Sequence, residues 1–468
     1  MPALEKMTRL MRILRSWWAL TGFTGLFLLA GCTPSPLQPP EQSGELVVVT
    51  RNSPTTYFLD IEGNPSGFEF DLASRFAASQ GWKIRFLVAD SLDELLEIVA
   101  DGQAHIAAAG LTASEARRRT LQFGPTYGQV KELLVCGPNV KLPRDVKDLV
   151  GLRVEVVAGS SHAEHLKLYQ RRIPALQWVA LDVASSEELL ERVEMGLADC
   201  TVSDSDSLDV ARNFHPLLRQ AFVLSSAQPL AWLVGSDMQT RFPRLLAAFF
   251  KEMEKDRALV KLRERYFGHV TRLKEADVRG ILEKRSTLLH EFKPHLQAAQ
   301  VETGLDWRLL AAVAYQESQW DAHAVSFTGV RGLMMLTEQT ADHLGVKDRL
   351  DPRESILGGA RYIIMLRDGL PPEIPEPDRT WMALAAYNIG SGHLHDARRL
   401  TRSLGKNPDS WADLKSVLPL LARREYAGKL KYGFARGGEA RAMTENVRIY
   451  FDILARYEKP YREFLALD

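Results

Sequence analysis

One carboxylate in this sequence stands where a general acid would have to stand. Glu317 lies near the end of an apolar run that begins at Leu305, and helical periodicity places it on roughly the same face as Leu309 and Val313. Because that face is predicted to pack inward, the carboxyl group would lose water and its pKa would rise. A glutamic acid that keeps its proton near neutral pH can donate it to a leaving group. On spacing alone, a solvated glutamate at the end of a helix is the alternative.

Three further motifs follow Glu317 in the chain. The Glu-Ser pair at 317–318 is followed by Gly-Leu-Met at 332–334, by Ala-Tyr-Asn-Ile-Gly at 386–390, and by Tyr450 in a late apolar helix. Each string alone is a weak signal, but the four in this order form a specific pattern. The pattern resembles the lytic transglycosylase domain of glycoside hydrolase family 23, which has an all-α, lysozyme-like fold.

The resemblance implies a reaction and a role for each matched residue. The substrate is peptidoglycan, and Glu317 protonates the oxygen between N-acetylmuramic acid and N-acetylglucosamine. Glu317 then acts as a base while the C6 hydroxyl of the muramoyl sugar attacks its own C1, which leaves a 1,6-anhydromuramoyl end. Ser318 helps to place the muramoyl group, Tyr387 and Asn388 line the cleft, and Tyr450 hydrogen-bonds near the carboxyl group.

Only one candidate catalytic carboxylate lies in these motifs, whereas ordinary glycoside hydrolysis uses two catalytic carboxylates. Asp321 stands four residues after Glu317 and is predicted to lie on the same helix, but a role on the helix surface is favoured for it. One carboxylate suffices when the substrate supplies the nucleophile, because an intramolecular hydroxyl has a high effective concentration. Hydrolysis by a muramidase stays open, and so does a solute receptor whose second domain only holds peptidoglycan.

One position departs from the family pattern. Most members read Gly-Leu-Met-Gln, whereas methionine stands here at position 335, so the hydrogen bond of the usual glutamine is missing. Met335 is still expected to contact the substrate. One subgroup of the family shares this methionine and also joins a solute-binding-like domain to the transglycosylase domain behind an export signal.

The chain before the transglycosylase motifs has a different pattern. Between residues 45 and 269, predicted strands and helices alternate, which is typical of an α/β domain. The order and several local strings resemble the family 3 periplasmic solute-binding fold, which has two lobes around a cleft and closes on its ligand by a hinge. Lobe two is predicted at about 134–225. The fold class is therefore predicted to be multidomain, a two-lobed α/β domain followed by an all-α domain.

Four residues of the first domain match ligand-binding positions of that fold. Arg117, with Thr112 before it, matches the segment whose arginine holds a ligand carboxylate, and Ser161 matches the helix start that helps to bind the same anion. Asp204 matches the aspartate that receives a ligand amino group. The resemblance implies an amino acid or a wall-derived peptide as ligand, with regulation of the second domain as a hypothesis. A solvated charge run at Arg117 and a simple turn at Asp204 are the alternatives.

Two further segments complete the predicted organisation after the first domain. Residues 270–290 are charged and predicted to form a helical linker, and residues 291–468 are predicted to be helical throughout. In this second domain, Thr337 and Asp378 precede apolar helical patterns and are predicted to cap them.

The first 32 residues resemble the export signal of a bacterial lipoprotein. A basic start precedes an apolar run of 14 residues at 17–30, which suits a signal peptide better than a membrane span. Leu-Ala-Gly-Cys at 29–32 resembles the lipobox, which implies cleavage before Cys32 and acylation of that cysteine as a membrane anchor. Threonine rather than aspartate follows, which favours the periplasmic side of the outer membrane. Residues 33–44 are rich in proline and are predicted to form an extended tether.

Composition excludes some classes of partner. The 468 residues contain 59 basic and 59 acidic side chains, so nothing argues for a nucleic acid. Cys136 and Cys200 could pair in an oxidising compartment, but two buried thiols are favoured. His162 and His165 have the spacing of metal ligands on a helix, yet no third ligand is evident and a satisfied surface pair is favoured. No metal or organic cofactor is implied.

Overall fold

The computed structural model describes most of the chain. The described residues are 37–59, 64–183, 185–236, 238, 241–270, 273–326 and 329–462. The predicted signal segment, with Cys32, and the first part of the predicted tether lie outside the described residues. Within the described part, no helix is long and apolar enough to span a membrane.

The first domain is a sheet covered by helices. Its strands are β1 (Glu45–Arg51), β2 (Phe58–Leu59), β3 (Pro65–Ser66), β4 (Lys83–Ala89), β5 (Ile106–Ala107), β6 (Phe123–Cys136), β7 (Val154–Val157), β8 (Val179–Leu181), β9 (Cys200–Asp204) and β10 (Arg219–Val234). Its helices are α1 (Pro40–Ser43), α2 (Phe68–Gln80), α3 (Leu92–Ala100), α4 (Glu115–Arg118), α5 (Ser161–Gln170), α6 (Ser186–Glu194), α7 (Ser205–Ala211), α8 (Arg241–Lys255) and α9 (Ala258–Phe267), with a 3-10 turn at Val146–Leu149.

Two long strands connect the two lobes of this domain. The eight-stranded sheet has the order β4-β1-β5-β10-β6-β9-β7-β8, and the long strands β6 and β10 pair antiparallel at its centre. Strand β1 is buried along its Leu-Val-Val-Val run, as expected for a parallel strand with helices on both faces. Two hydrophobic clusters lie on the β1 side of the sheet and two on the β9 side. The predicted two-lobed α/β fold is confirmed.

The predicted extended tether is wrong where the structure describes it. Pro40–Ser43 forms helix α1, with proline at the first helical position, where its missing N–H costs nothing. Pro40 is buried, Leu37 packs against a hydrophobic cluster of the first domain, and the Gln38 carbonyl oxygen lies 3.0 Å from His105 Nε2. This segment therefore packs onto the first domain.

The prediction of two buried thiols is also wrong, because Cys136 and Cys200 form a disulfide. Both residues are fully buried. They lie directly opposite each other on the antiparallel strands β6 and β9, so their side chains meet on one face of the sheet. That register depends on strand pairing between distant segments, and nothing in the local sequence of either cysteine reveals it.

The second domain is helical, as predicted. Its helices are α10 (Glu275–Thr287), α11 (Leu289–Thr303), α12 (Trp307–Ser318), α13 (Glu338–Leu344), α14 (Pro352–Asp368), α15 (Asp378–Ile389), α16 (Ser391–Ser403), α17 (Trp411–Val417), α18 (Arg424–Ala427) and α19 (Gly437–Tyr457), with a 3-10 turn at Leu418–Ala422. Helix α12 lies at the centre, since every residue from Trp307 to Tyr315 is buried in the cluster that the surrounding helices form. The all-α class is confirmed.

One of the two predicted helix caps is confirmed. The Thr337 side chain accepts a hydrogen bond from the Thr340 amide at the start of α13. Asp378 is instead the first helical residue of α15, and its carboxylate accepts a hydrogen bond of 3.0 Å from the Trp411 amide. The aspartate therefore joins two helices rather than capping its own.

Helix α9 of the first domain contacts the second domain through buried charges. Glu264 pairs with Lys415 and lies 3.8 Å from Arg448, and an Arg448 guanidinium nitrogen also donates to the Arg265 carbonyl oxygen at 3.0 Å. Burial opposes ionisation of Glu445, but Arg448 and Lys415 overcome it and lower the pKa of Glu445 to about 2. Each of these charges is compensated, so removing one partner would leave another buried and unpaired.

The disulfide generates a testable prediction for the first domain. Replacing both cysteines with serine (Cys136→Ser with Cys200→Ser) should lower the free energy of unfolding of this domain by about 3 kcal/mol, because the unfolded chain gains freedom between residues 64 positions apart. Thermal unfolding with and without dithiothreitol measures this. Reductant should lower the midpoint temperature of the parent's unfolding transition towards that of the variant, and it should not change the midpoint temperature of the variant. An identical parent transition in both conditions would contradict the disulfide.

Candidate active site

Glu317 occupies the last turn of helix α12, where the buried helix reaches the surface of the domain. Asp306 caps the start of α12 by accepting from the Arg308 amide, and the residues up to Tyr315 are buried. The Glu317 side chain is partly buried, and loss of water raises the pKa of its carboxyl group to about 7. The predicted burial and its effect on the pKa are confirmed, and the group can both donate and accept a proton near neutral pH.

The helix ends abruptly after the Glu-Ser pair. Gln319 and Trp320 adopt left-handed backbone conformations, with φ of 53° and 62°, and the Gln319 amide donates to the Tyr315 carbonyl. Trp320 is buried, and its indole N–H donates to the Ala311 carbonyl at 2.9 Å. The prediction that Asp321 lies on the same helix is therefore wrong, because the turn carries it away from the helix.

The Gly-Leu-Met motif forms the tight turn opposite the end of α12. Gly332 has φ of 78°, and a Cβ atom there would lie 1.7 Å from the Arg349 carbonyl oxygen, so only glycine fits. The Met335 amide donates to the Gly332 carbonyl at 3.0 Å, and Met335 itself has φ of 46°. A non-glycine residue in this region costs roughly 1 kcal/mol. Three of the four non-glycine residues with positive φ in the described chain thus lie in the two turns that meet at Ser318, the residue after Glu317.

Two hydroxyl groups hold this turn in place, one from α12 and one from α15. The Ser318 Oγ lies 3.0 Å from both the Leu333 and the Ala314 carbonyl oxygens, and the Tyr387 hydroxyl donates to the Met334 carbonyl at 2.6 Å. Burial raises the pKa of Tyr387 well above its usual value, and the nearby Glu317 carboxylate raises it further. The structure thus brings Glu317, Ser318, Tyr387 and the turn together, and gives both hydroxyl groups a structural role.

The other predicted active-site residues lie at the edge of this arrangement. Asn388 is exposed at the end of α15, one residue after Tyr387. Tyr450 is buried on α19, and its ring packs edge-on against Tyr315 with centroids 4.8 Å apart. Burial raises the pKa of Tyr450, as do Tyr315 and Asp277. A hydrogen bond from Tyr450 to Glu317 stays a prediction.

The first domain has a second candidate site in the cleft between its lobes. Residues that line it include Arg51, Ser53, Glu69, Glu187, Asp204, Asp206 and Phe267. Of the four predicted ligand residues, Asp204 is the one that lines the cleft, whereas Thr112 and Ser161 are buried beside it. Arg51 and Glu187 were missed. Arg51 ends β1, and the rule that ligands bind at the carboxyl ends of parallel strands could have found it.

The Arg117 guanidinium group is hydrogen-bonded to other residues of the protein in this conformation. Its Nε donates to Glu164 Oε1 at 2.9 Å and its Nη2 donates to the Gly159 carbonyl at 2.7 Å, so it connects α4 to the start of α5 across the cleft. Ser53 makes a second connection by donating to Glu187 at 3.0 Å. The cleft is therefore closed by side chains of the protein itself.

The histidines predicted as a surface pair take part in buried ion pairs, so that prediction is wrong. His162 is buried with Nε2 3.2 Å from Asp204, and His165 Nδ1 lies 2.5 Å from the buried Glu132. Burial lowers the pKa of His162, but Asp204 and Glu132 outweigh it and raise that pKa above its ordinary value. In the described part of the chain, no cluster of three or more histidine, cysteine or acidic side chains could hold a metal ion.

Comparisons with solved structures and family models concern the two domains separately. The chain is similar to an ancestral arginine-binding protein bound to arginine (25% identity, TM-score 0.44, 48% of this chain and 98% of that chain) and to a putative L-cystine ABC transporter from Listeria monocytogenes (23%, 0.45, 48% and 96%). Residues 46–269 match the model of bacterial extracellular solute-binding proteins, family 3. Residues 294–410 match that of the transglycosylase SLT domain.

Curated relatives match both domains together. The chain is 44% identical over 436 residues to the membrane-bound lytic murein transglycosylase F of Nitrosospira multiformis, covering 93% of this chain and 91% of the relative. It is also 44% identical over 439 residues to the protein of the same name from Thiobacillus denitrificans, covering 94% and 93%. With this identity over nearly the whole of each protein, the chain belongs to the membrane-bound lytic murein transglycosylase F family.

Proposed function

We propose that Glu317 performs both proton transfers in the cleavage of peptidoglycan by this lytic transglycosylase. In its protonated form it donates to the oxygen of the β-1,4 bond between N-acetylmuramic acid and N-acetylglucosamine, and that bond breaks. The resulting Glu317 carboxylate then takes the proton of the muramoyl C6 hydroxyl group, and the C6 oxygen forms a bond to C1 of the same sugar. The product has a 1,6-anhydromuramoyl end, and no water is consumed.

The observation that carries this proposal is the burial of Glu317 in the last turn of α12, which raises the pKa of its carboxyl group to about 7. No charged group among the described residues contributes to that shift, whereas a second carboxylate close by would add a like-charge repulsion. Most glycosidases that use an enzyme nucleophile or an activated water have that second carboxylate. A single carboxyl group that first donates a proton and then accepts one is sufficient when the substrate supplies its own nucleophile.

The surrounding residues support this role by holding the end of α12 in place. The turn from Gly332 to Met335 is held by Ser318, the residue after Glu317, and by Tyr387, whose hydroxyl group donates to the Met334 carbonyl. We assign the muramoyl sugar to this surface, with Asn388 on the exposed side of the cleft. Tyr450 supports α12 by packing against Tyr315.

We further propose that the first domain binds an amino acid or a peptide released from the wall and regulates the second. Helix α9 connects the cleft to the second domain: Phe267 lines the cleft, Arg263 donates to the cleft residue Asp206 at 2.6 Å, and Glu264 pairs with Lys415. A ligand carboxylate that takes the place of Glu164 on Arg117 would change how the two lobes are held together, and α9 contacts both the cleft and the second domain. The regulatory proposal fails if neither amino acids nor soluble muropeptides give heat of binding with the full mature chain.

We also place the chain on the periplasmic side of the outer membrane, anchored by lipid on Cys32. The Leu-Ala-Gly-Cys string and the following threonine support this location. Loss of the chain from the membrane fraction in a Cys32→Ser variant would support the anchor, and retention there would contradict it.

The proposed reaction predicts the products of digestion. Purified sacculi treated with the mature chain should release anhydromuropeptides, and Glu317→Gln should release none, because glutamine cannot transfer the proton. Mass spectrometry of the soluble fraction distinguishes the outcomes. Hydrated reducing ends would instead support a muramidase, and release by neither chain would support the receptor that only holds peptidoglycan.

The turn at Gly332 predicts a second result. Gly332→Ala places a Cβ atom against the Arg349 carbonyl, which must displace the turn and with it the residues beside Glu317. We expect anhydromuropeptide release to fall at least about tenfold, since misplacement by 1 Å is enough for a larger loss. Gly345→Ala is the matched control, because Gly345 also has positive φ (72°) but faces open space. Equal rates for both variants would contradict the role of this turn.

A further inference from the structure

Two aromatic side chains stand exposed on a loop of the catalytic domain. Loop 428–436 follows helix α18 and has the sequence Gly-Lys-Leu-Lys-Tyr-Gly-Phe-Ala-Arg. Tyr432 is 51% exposed and Phe434 is 61% exposed. Single exposed apolar side chains are ordinary on protein surfaces, whereas two large ones on one short loop favour a binding surface.

The loop is held in place from below. The carboxylate of Asp396, which is fully buried, accepts hydrogen bonds from the backbone amides of Lys431 and Tyr432, the latter at 2.7 Å, and also pairs with Arg399. The Tyr432 ring lies against Gly392, where an added Cβ atom would come within 2.9 Å of the ring. A buried charge thus fixes the backbone beneath an exposed ring, which reduces the entropy lost when a ligand stacks on it.

The loop contacts the start of α16, close in the chain to Tyr387 and Asn388. Gly392 lies in the first turn of α16, which follows α15 after the single residue Gly390. Helix α15 carries Tyr387 and the exposed Asn388, and the exposed Ser391 stands in the chain between Asn388 and Gly392, which the Tyr432 ring contacts. A strand held beside Glu317 can therefore continue over this turn to the loop.

The charge of the loop completes its chemical character. Lys429 and Lys431 are exposed, and Lys431 Nζ lies 5.3 Å from the Tyr432 ring centroid. A pyranose ring offers C–H faces that an aromatic ring covers, and the peptide stems of peptidoglycan carry carboxylates that attract ammonium groups. Aromatic rings beside lysines match both features of one polymer.

We propose that loop 428–436 is an outer subsite for the glycan strand, beyond the sugars that flank the cleaved bond. Tyr432 and Phe434 stack on sugar rings, and Lys429 and Lys431 pair with stem-peptide carboxylates. This proposal rests on the proposed function, because the occupant is the substrate of the Glu317 site. The subsite raises affinity for long strands and leaves the chemical step unchanged.

The test compares a long and a short substrate with the full mature chain. Tyr432→Ala combined with Phe434→Ala should raise the KM for sacculi about tenfold, whereas kcat/KM for a tetrasaccharide that spans only the cleaved bond should not change. Met365→Ala, at a 41% exposed position on α14 of the same domain, is the matched control and should change neither. An unchanged KM for sacculi, or an equal loss on both substrates, would overturn the proposal.

Binding to sacculi tests the outer subsite independently of the cleavage reaction. Sacculi should co-sediment the Glu317→Gln chain, and adding Tyr432→Ala and Phe434→Ala should weaken that binding about tenfold whether or not the parent releases anhydromuropeptides. Lys429→Gln with Lys431→Gln should make the binding less sensitive to salt, because fewer ion pairs are screened. Undiminished binding by the aromatic double variant would contradict the subsite.

Discussion

The burial of one carboxyl group is the constraint on which the catalytic domain depends. Glu317 stands where α12 leaves the core, close enough to that core for its pKa to rise to about 7. The left-handed turn at Gln319 and Trp320 ends the helix there, and the Gly332 turn faces it. Non-glycine residues in left-handed conformations destabilise a fold slightly, and they persist at functional sites when the surrounding packing compensates. Here the buried Trp320 and the Ser318 and Tyr387 hydroxyl groups supply that compensation.

Local sequence was sufficient to predict the features that depend on periodicity. The apolar run ending at Glu317 predicted a buried helix, alternating strands and helices predicted the α/β domain, and the resemblance to solute-binding proteins implied its two lobes. Asp321 was misplaced because neither Gln319 nor Trp320 has a sequence preference for the left-handed conformation that ends the helix. The disulfide between Cys136 and Cys200 was missed because it depends on the register of two strands far apart in sequence.

In the ligand cleft, too, local sequence predicted single segments but not the contacts between segments that are far apart in the chain. The string around Arg117 predicted its segment, but its partner Glu164 comes from the other lobe, and that pairing exists only in the folded domain. Arg51 ends strand β1, and its position in the cleft depends on the order of the strands in the sheet. Helix α9 then relates the two domains, since neighbouring residues on it face the cleft and the buried charges at Lys415. Regulation across this helix would require two arrangements that a ligand distinguishes.

The most direct test of the account measures the cost of ionising Glu317. A carboxyl group whose pKa is about 7 when folded and near 4.5 when unfolded binds more protons in the folded state, so its contribution to stability falls as pH rises between those values. Glu317→Gln, which cannot ionise, should match the parent's unfolding free energy at pH 4 and exceed it by roughly 3 kcal/mol at pH 8, in the thermal transition of the catalytic domain. A difference that does not vary with pH would contradict the buried proton on which the proposed mechanism depends.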